Sequence, residues 1–381
     1  MTQGTRRPRT ALVVPSATRR GGGDVWLSEL VTALEPDEID LLVVFESDGE
    51  LLLRVRDAGH RARTLGHTGR PGIANLLPLA VRLARLLPAE NPEVVVHWSP
   101  RAHVYGTLAQ ALASCSARTV WIQHVIPSRF WLHRLASALP ADVVACVSSA
   151  VARRQQLLYP RTRAVVLHPG ETCSARSRDA ATRRHLGVPK DEYVVGLVGR
   201  VEPWKGQDLL VRAVSRLRSE DLSVHALLIG ATCSRNWPEF PSHVRALVGE
   251  LGLRQHVTFV GHVDNVGDAV SACDVIVCAS REEGFGLGVV EAMAAGVPVV
   301  ATRCGGPEDI LDHGVSGLLV PAEDVGELVM AIRHLLEHPE VVAGLVSAAR
   351  QTYGERFTAE CSAAAFLSLV RELGTPRPLV A

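Results

Sequence analysis

The 381-residue chain is short of several things at once, and each shortage excludes something. Of its 40 Lys and Arg residues only Lys190 and Lys205 are lysine, and Asp plus Glu also total 40, so the formal net charge is zero. No global field draws such a chain to nucleic acid or to an anionic membrane surface. There is no long apolar run. The stretch Ala11 to Val14 is stopped by Pro15 and is too short for a signal-peptide core, and the longest apolar stretch, 284–302, is interrupted by Glu291 and Pro298. Stable membrane insertion is therefore not expected. The eight cysteines include no Cys-x-x-Cys pair. Cys146, Cys273 and Cys278 lie in apolar, strand-like surroundings and read as buried free thiols without a redox or metal role, which fits a reducing cytoplasm.

What the chain does have is apolar residue, 47% of it, and enough length for two α/β domains rather than one. β-Branched runs alternate with helical patterns at 11–14, 39–45, 93–98, 119–123, 142–147 and 164–167, the signature of a parallel sheet with crossover helices. Between His168 and Lys190 the rhythm breaks, and it resumes with strands expected at 193–198, 224–229, 257–260, 275–278, 297–301 and 318–320. The reading is two doubly wound Rossmann-like domains facing across a cleft: an N-terminal domain at 1–170, a linker at 171–190, a C-terminal domain at 191–355, and a last helix at 356–381 that packs back on the N-terminal domain.

The densest chemical signal runs from Glu283 to Pro298 and follows an expected strand. Gly284, Gly286 and Gly288 let the backbone approach a ligand, and the helix expected to start near Gly288 aims unpaired N–H groups and a positive dipole end at an anion. A diphosphate suits that place. Glu283 and Glu291, the latter read as lying in the first helical turn, bracket it with seven residues between them. Carboxylates beside a phosphate make sense only where they accept hydrogen bonds from hydroxyls, Glu291 from a ribose and Glu283 from a sugar.

This arrangement resembles the Glu-x7-Glu signature of retaining GT-B glycosyltransferases of family four, group 1 type, which include sucrose synthases and bacterial envelope and antibiotic enzymes. The likeness extends to Gly199-Arg200, Lys205-Gly206, Phe259-Val260-Gly261 and Gly305-Gly306-Pro307-Glu308. It implies that Arg200 and Lys205 hold the donor diphosphate, with Gly284, Phe285, Gly286 and Leu287 around it. It also implies that backbone near 261–263, including Val263, grips the base, with UDP the commonest donor nucleotide. The scarcity of lysine independently marks Lys205 as a position where guanidinium does not serve. Gly22 and Gly23, in the glycine run before Asp24, correspond to a glycine pair near the donor phosphates, although Asp24 as a helix cap explains the run equally well. His124, closing a strand ahead of Pro127, corresponds to a histidine that touches the transferred sugar.

No Asp-x-Asp triplet occurs, and no pair among His97, His103 and His133 falls at zinc-ligand spacing with a supporting cysteine or carboxylate. The expectation is a metal-independent enzyme without a cofactor, in which Arg200, Lys205 and helix amides stabilise the departing diphosphate. The acceptor is read from Trp98, Arg101, His103 and Trp131, whose flat apolar faces with polar rims match a ring-shaped polyhydroxylated molecule such as an aminocyclitol, an inositol or an antibiotic precursor sugar. Transfer to an envelope or lipid-linked glycan is the alternative acceptor. A nucleotide-dependent oxidoreductase is disfavoured because residues 16–20 separate the first strand from its glycines. A pyridoxal-dependent phosphorylase lacks a spare lysine, and a degenerate non-catalytic partner subunit is disfavoured by intact Arg200, Lys205, Glu283 and Glu291. The whole is expected to be a cytoplasmic monomer or homodimer.

Overall fold

A computed structural model of the chain describes residues 7–15, 17, 21–67, 72–127, 131–172, 180–232, 237–263 and 265–374. Two compact units divide it, Met1–Gly170 with Ala359–Ala381, and Glu171–Thr358. The first unit holds β1 (Arg9–Val14), β2 (Asp40–Phe45), β3 (Arg61–Thr64), β4 (Val94–His97), β5 (Arg118–Gln123), β6 (Val143–Cys146) and β7 (Ala164–Val166). These form one parallel sheet in the order β3-β2-β1-β4-β5-β6-β7. The second unit holds β8 (Tyr193–Val198), β9 (Val224–Ile229), β10 (Val257–Gly261), β11 (Val275–Cys278), β12 (Val299–Thr302) and β13 (Leu318–Val320), again parallel, in the order β10-β9-β8-β11-β12-β13. Both sheets thus reverse strand order once, between β1 and β4 and between β8 and β11. In open α/β sheets that reversal opens a crevice at the carboxyl ends of the strands.

The central strands are buried on both faces, as helix-covered parallel strands must be, and so read as largely apolar runs into which buried His97 of β4 and His225 of β9 are set. β3 has the opposite character. Its sequence Arg-Ala-Arg-Thr buries only Ala62, because it pairs on one side alone and turns Arg61 to Asp40 at 3.0 Å and Arg63 to Glu90 at 3.0 Å. Hydrophobic periodicity has nothing to detect in such an edge strand.

Two expectations change. Residues 171–172 and 180–190, read as linker, are held by the second unit: Glu171 pairs with Thr358, and the helix Ala180–His185 is anchored by Arg183, which donates to Asp274 at 2.6 Å and to the Ala272 carbonyl at 2.8 Å. Asp24 is not a helix cap: the helix Gly22–Ala33 starts from Gly21, and Asp24 sits within its first turn, where its charge favours the dipole. The helix Ala359–Gly374 lies in the first unit. Its Ser362 hydroxyl accepts from Trp26 Nε1 at 2.8 Å and donates to the His168 carbonyl at 2.9 Å.

Burial of imidazoles in the first unit gives the fold a pH signature. Burial holds His103 down to about 4 and His124 down to about 4, against an ordinary 6.5. The unfolded chain takes up protons near pH 6.5 and the folded one does not until about 4, so stability is complete above the first value and is lost as pH falls toward the second. Urea midpoints measured from pH about 7 to about 4 are expected to decline less steeply in His103→Gln than in the unsubstituted protein. Identical slopes would contradict this origin.

Candidate functional site

The carboxyl edge of β8 and β11 carries a cluster of ion pairs. Gly199 follows β8 at φ 151°, and a Cβ there would press on the Lys205 stem at 3.3 Å, so the glycine makes room for the lysine chain to lie across the strand end. Gly206, at φ 72°, passes so close to Ala279 that a Cβ would meet its carbonyl oxygen at 2.0 Å. Arg281 fastens the loop carrying Lys205 by donating to the Pro203 carbonyl at 2.5 Å and gripping Asp208 with two bonds, at 3.0 and 2.7 Å.

Lys205 is thereby aimed at Glu283, its Nζ 2.5 Å from Oε2. Burial works against the ammonium, yet the Glu283 and Cys278 sulfur charges outweigh it and hold Lys205 above its ordinary value. Ser280 Oγ donates to the same Oε2 at 3.2 Å. Among the described residues Oε1 has no partner, so this half-buried carboxylate keeps one oxygen for an outside donor. Arg200 is half exposed, bonds Glu202 at 3.2 Å and stands near enough to Lys205 to oppose its charge. Two cations and a carboxylate are therefore assembled at one strand edge.

The backbone beyond Glu283 is fixed by the neighbouring strand. Glu283 donates to the Cys304 carbonyl at 3.0 Å, and Gly306 donates back to the Glu283 carbonyl at 2.8 Å. A Cβ on Gly306 would lie 2.1 Å from the Phe285 carbonyl oxygen, which is why a glycine stands there. The helix that follows is Leu287–Ala295, begun by Gly286 at φ 113°. Its first amides have no earlier turn to bond. Two site expectations are corrected here. Glu291 is the fifth residue of that helix, beyond its first turn, because the helix starts one residue earlier than Gly288. Phe285 is only 5% exposed and packs edge-on against Phe357 at 5.9 Å, so its ring anchors the turn and only its backbone can face a ligand. Gly284 and Leu287 are half-buried on either side of it, and Val263 is half-buried just past β10.

In the first unit, Gly22 and Gly23 form the first turn of their helix at the carboxyl edge of β1. A Cβ on Gly23 would touch the His124 ring at 3.4 Å, and the Gly23 carbonyl accepts from Trp98 Nε1 at 3.1 Å. His124 Nε2 lies 2.8 Å from the Trp98 carbonyl, which can only accept, so this nitrogen carries the proton and Nδ1 is left as an acceptor. Held down to about 4 by burial, the ring is neutral at physiological pH.

Three of the residues read as acceptor ligands are placed otherwise. Trp98 is 2% exposed, covered by Trp26 at 4.7 Å and His124 at 5.1 Å, and so serves as a wall rather than a platform. His103 is fully buried, stacked on Trp121 at 5.0 Å with its Nδ1 2.9 Å from that of His97. Arg101 is spent on Glu46, at 3.0 Å, and on the Gly72 carbonyl, at 3.0 Å; burial, the larger effect, still raises the Glu46 carboxyl above its ordinary range. Trp131 is 45% exposed.

Sequence spacing also missed what only tertiary structure assembles. Ser280 and Thr302 are one instance: Thr302 Oγ1 bonds the Ser280 carbonyl at 2.5 Å and steadies the Glu283 loop. Another is Glu192, His225 and His256, whose ligand atoms lie within 4.8 Å of one another at the amino edge of the second sheet. Arg218 already bonds that carboxylate at 2.6 Å.

Two parallel Rossmann-like sheets, one in each unit and each reversing its strand order once, are the GT-B class of fold. Residues 20–171 match the model of Glycosyltransferase Family 4 and residues 179–352 that of Glycosyl transferases group 1, and the chain belongs to this family. It is 37% identical over 199 residues to the D-inositol 3-phosphate glycosyltransferase of Saccharomonospora viridis, covering 51% of this chain and 46% of the relative. Its identity to the enzyme of that name from Mycolicibacterium smegmatis is 35% over 193 residues, or 49% and 43% of the two chains. The chain thus spans a little under half the length of these curated relatives. Among solved structures, Anabaena HepE in complex with UDP and glucose superposes with a TM-score of 0.82 at 23% identity, covering 96% of this chain and 99% of the other. Sucrose-phosphate synthase from Thermosynechococcus elongatus gives 0.81 at 22%, covering 97% and 99%. At that identity the likeness is one of fold.

The ion pair sets a test. Lys205→Met strands a half-buried carboxylate and is expected to cost about 1–3 kcal/mol of stability, much of it recovered when Glu283→Gln is added. Strict additivity in a denaturation cycle would mean that the two groups are not coupled.

Proposed function

We propose that the protein transfers a sugar from a nucleoside diphosphate donor, most readily a UDP-hexose or UDP-N-acetylhexosamine, to a hydroxyl of a small polyhydroxylated ring, with retention of anomeric configuration and without a metal. The observation that carries the reading is Glu283, with Oε2 held by Lys205 and Ser280 and Oε1 turned to no partner among the described residues. A carboxylate beside two cations and a helix start is suited to a ligand that is anionic at one end and hydroxylated at the other.

In this reading the diphosphate takes the amides at Leu287 and Gly288 and the charges of Arg200 and Lys205. Glu291 accepts from the ribose, backbone near Val263 borders the base, and Oε1 of Glu283 accepts from the sugar. His124 is neutral, and its Nδ1 accepts a sugar hydroxyl. The acceptor oxygen bonds the anomeric carbon from the leaving-group face as the bond to the phosphate oxygen breaks. The electron pair departs with the diphosphate, and the acceptor proton passes to a phosphate oxygen. Fixed cations stabilise the leaving charge, the role a divalent ion plays elsewhere. The D-inositol 3-phosphate of the relatives' names supports a phosphorylated cyclitol as the first acceptor to try, ahead of an aminocyclitol or an antibiotic precursor sugar. Trp131 is the remaining candidate to face it.

A thermal-shift panel of UDP, GDP, ADP and TDP sugars tests the donor: at about a hundred times Kd the bound nucleotide stabilises by about 2.7 kcal/mol. One nucleotide is expected to stand out, and no shift with any would overturn the reading. Transfer to inositol 3-phosphate is expected to survive EDTA and to keep the donor's anomeric configuration by NMR. Loss with EDTA and rescue by Mg²⁺ or Mn²⁺, or an inverted product, would contradict the corresponding part. Glu291→Ala is expected to weaken donor binding by roughly 1–3 kcal/mol, and an unchanged affinity would remove the ribose assignment.

A further inference from the structure

Three neighbouring strands of the second sheet, β10, β9 and β8, bring their amino ends to one edge, and each carries a metal-ligating side chain there. The strand pairing puts these side chains together. His225, the second residue of β9, is in register with Val194 of β8, and Glu192 lies two residues before Val194, back on the same face of the pleat. β10 pairs Val257 with Ala226, which sets His256 beside His225. The ligand atoms of Glu192, His225 and His256 all lie within 4.8 Å of one another. Among the described residues no other group of three His, Cys, Asp or Glu side chains is so placed.

The distances suit a shared ion. His225 Nδ1 lies 3.3 Å from Glu192 Oε2, and His256 Nδ1 lies 3.1 Å from Oε1. The His256 nitrogen is buried and makes no hydrogen bond, so no shared proton accounts for its short approach to the carboxylate. Around a tetrahedral zinc with bonds of about 2.0–2.2 Å, ligand atoms sit roughly 3.3 Å apart with their lone pairs turned to the centre rather than to one another. His225 Nε2 lies 2.9 Å from Thr258 Oγ1, an oxygen able to accept, so the ring can carry its proton there and leave Nδ1 with a free lone pair. A hydrogen bond from the second nitrogen is the usual support of a metal-bound imidazole.

We propose that Glu192, His225 and His256 bind one Zn²⁺ through a carboxylate oxygen and two imidazole nitrogens, with water in the fourth position, and that the ion clamps the amino ends of β8, β9 and β10.

The donor set selects the metal class. Two imidazoles with one carboxylate suit zinc, whereas magnesium and calcium favour oxygen ligands alone. Arg218, in the last turn of the helix Gln207–Ser219, donates to Glu192 Oε1 at 2.6 Å and to the Val224 carbonyl at 3.0 Å. It steers the carboxylate and leaves Oε2 for the ion, while its charge opposes the cation and moderates the affinity. Lys205 and Glu283 follow the carboxyl ends of β8 and β11, at the far side of the same parallel sheet. The ion therefore stabilises the second unit and takes no part in donor binding.

Calorimetric titration of EDTA-stripped and dialysed protein with ZnCl₂ is expected to saturate at one Zn²⁺ per chain, and MgCl₂ is expected to give no binding. At about a hundred times Kd, Zn²⁺ is expected to raise the melting temperature by roughly 5 °C. Co²⁺ in place of Zn²⁺ is expected to show the visible absorption of a four-coordinate ion. His256→Gln and, separately, Glu192→Gln, both partly exposed positions, are expected to weaken Zn²⁺ binding about tenfold or more and to lose the cobalt absorption. His334→Gln is the control. It alters the surface pair His334 and His338, whose rings lie 4.6 Å apart, and is expected to bind Zn²⁺ like the unsubstituted protein. No saturable Zn²⁺ binding to the unsubstituted protein would overturn the proposal. So would binding that survives both ligand substitutions, binding lost with His334→Gln, or bound Zn²⁺ that leaves the melting temperature unchanged.

Discussion

A single ion pair at a strand edge organises the second unit. Lys205 and Glu283 come from loops after different strands, β8 and β11, and meet only because those strands are neighbours at the point where the sheet reverses its order. Each of the surrounding peculiarities serves that meeting. Gly199 yields space to the lysine stem, Gly206 lets its loop pass Ala279, Arg281 ties the loop down, and Ser280 and the Cys304 carbonyl hold the glutamate from its other side. A buried pair of this kind contributes little net stability over an apolar substitute, but it is costly to break on one side, and it fixes geometry.

The first unit is built by a different device. Where the second unit places charge, the first places a neutral imidazole, kept neutral by burial and oriented by one carbonyl, against a glycine-only helix start. Both edges lie at the reversal of a 3-2-1-4 strand order, the location at which this architecture binds ligands. Sheets that share this order thus present a lysine–glutamate pair in one unit and an acceptor nitrogen in the other.

Much of this was legible in the residues. Strands β8, β9, β11 and β13 stand where the apolar runs place them, because strands covered by helices on both faces are largely apolar. The scarcity of lysine singled out Lys205, and the glycine spacing singled out Glu283. What could not be read falls into two kinds. Edge strand β3 has no core face to imprint a pattern, and residues such as Trp98, Arg101 and His103 carry ligand-like side chains that the structure spends internally, on Gly23, Glu46 and His97. Side-chain type announces capacity, whereas availability depends on neighbours distant in sequence.

The central claim is that the Lys205–Glu283 edge and the start of the helix Leu287–Ala295 form one anion-and-hydroxyl site. A crystal structure of the protein soaked with a UDP-sugar measures it directly. The account predicts diphosphate oxygens within hydrogen-bond distance of the Leu287 and Gly288 amides and of Lys205 Nζ, with a sugar hydroxyl on Oε1 of Glu283. A diphosphate seated elsewhere, with Lys205 and Glu283 paired as before and touching no ligand atom, would contradict it.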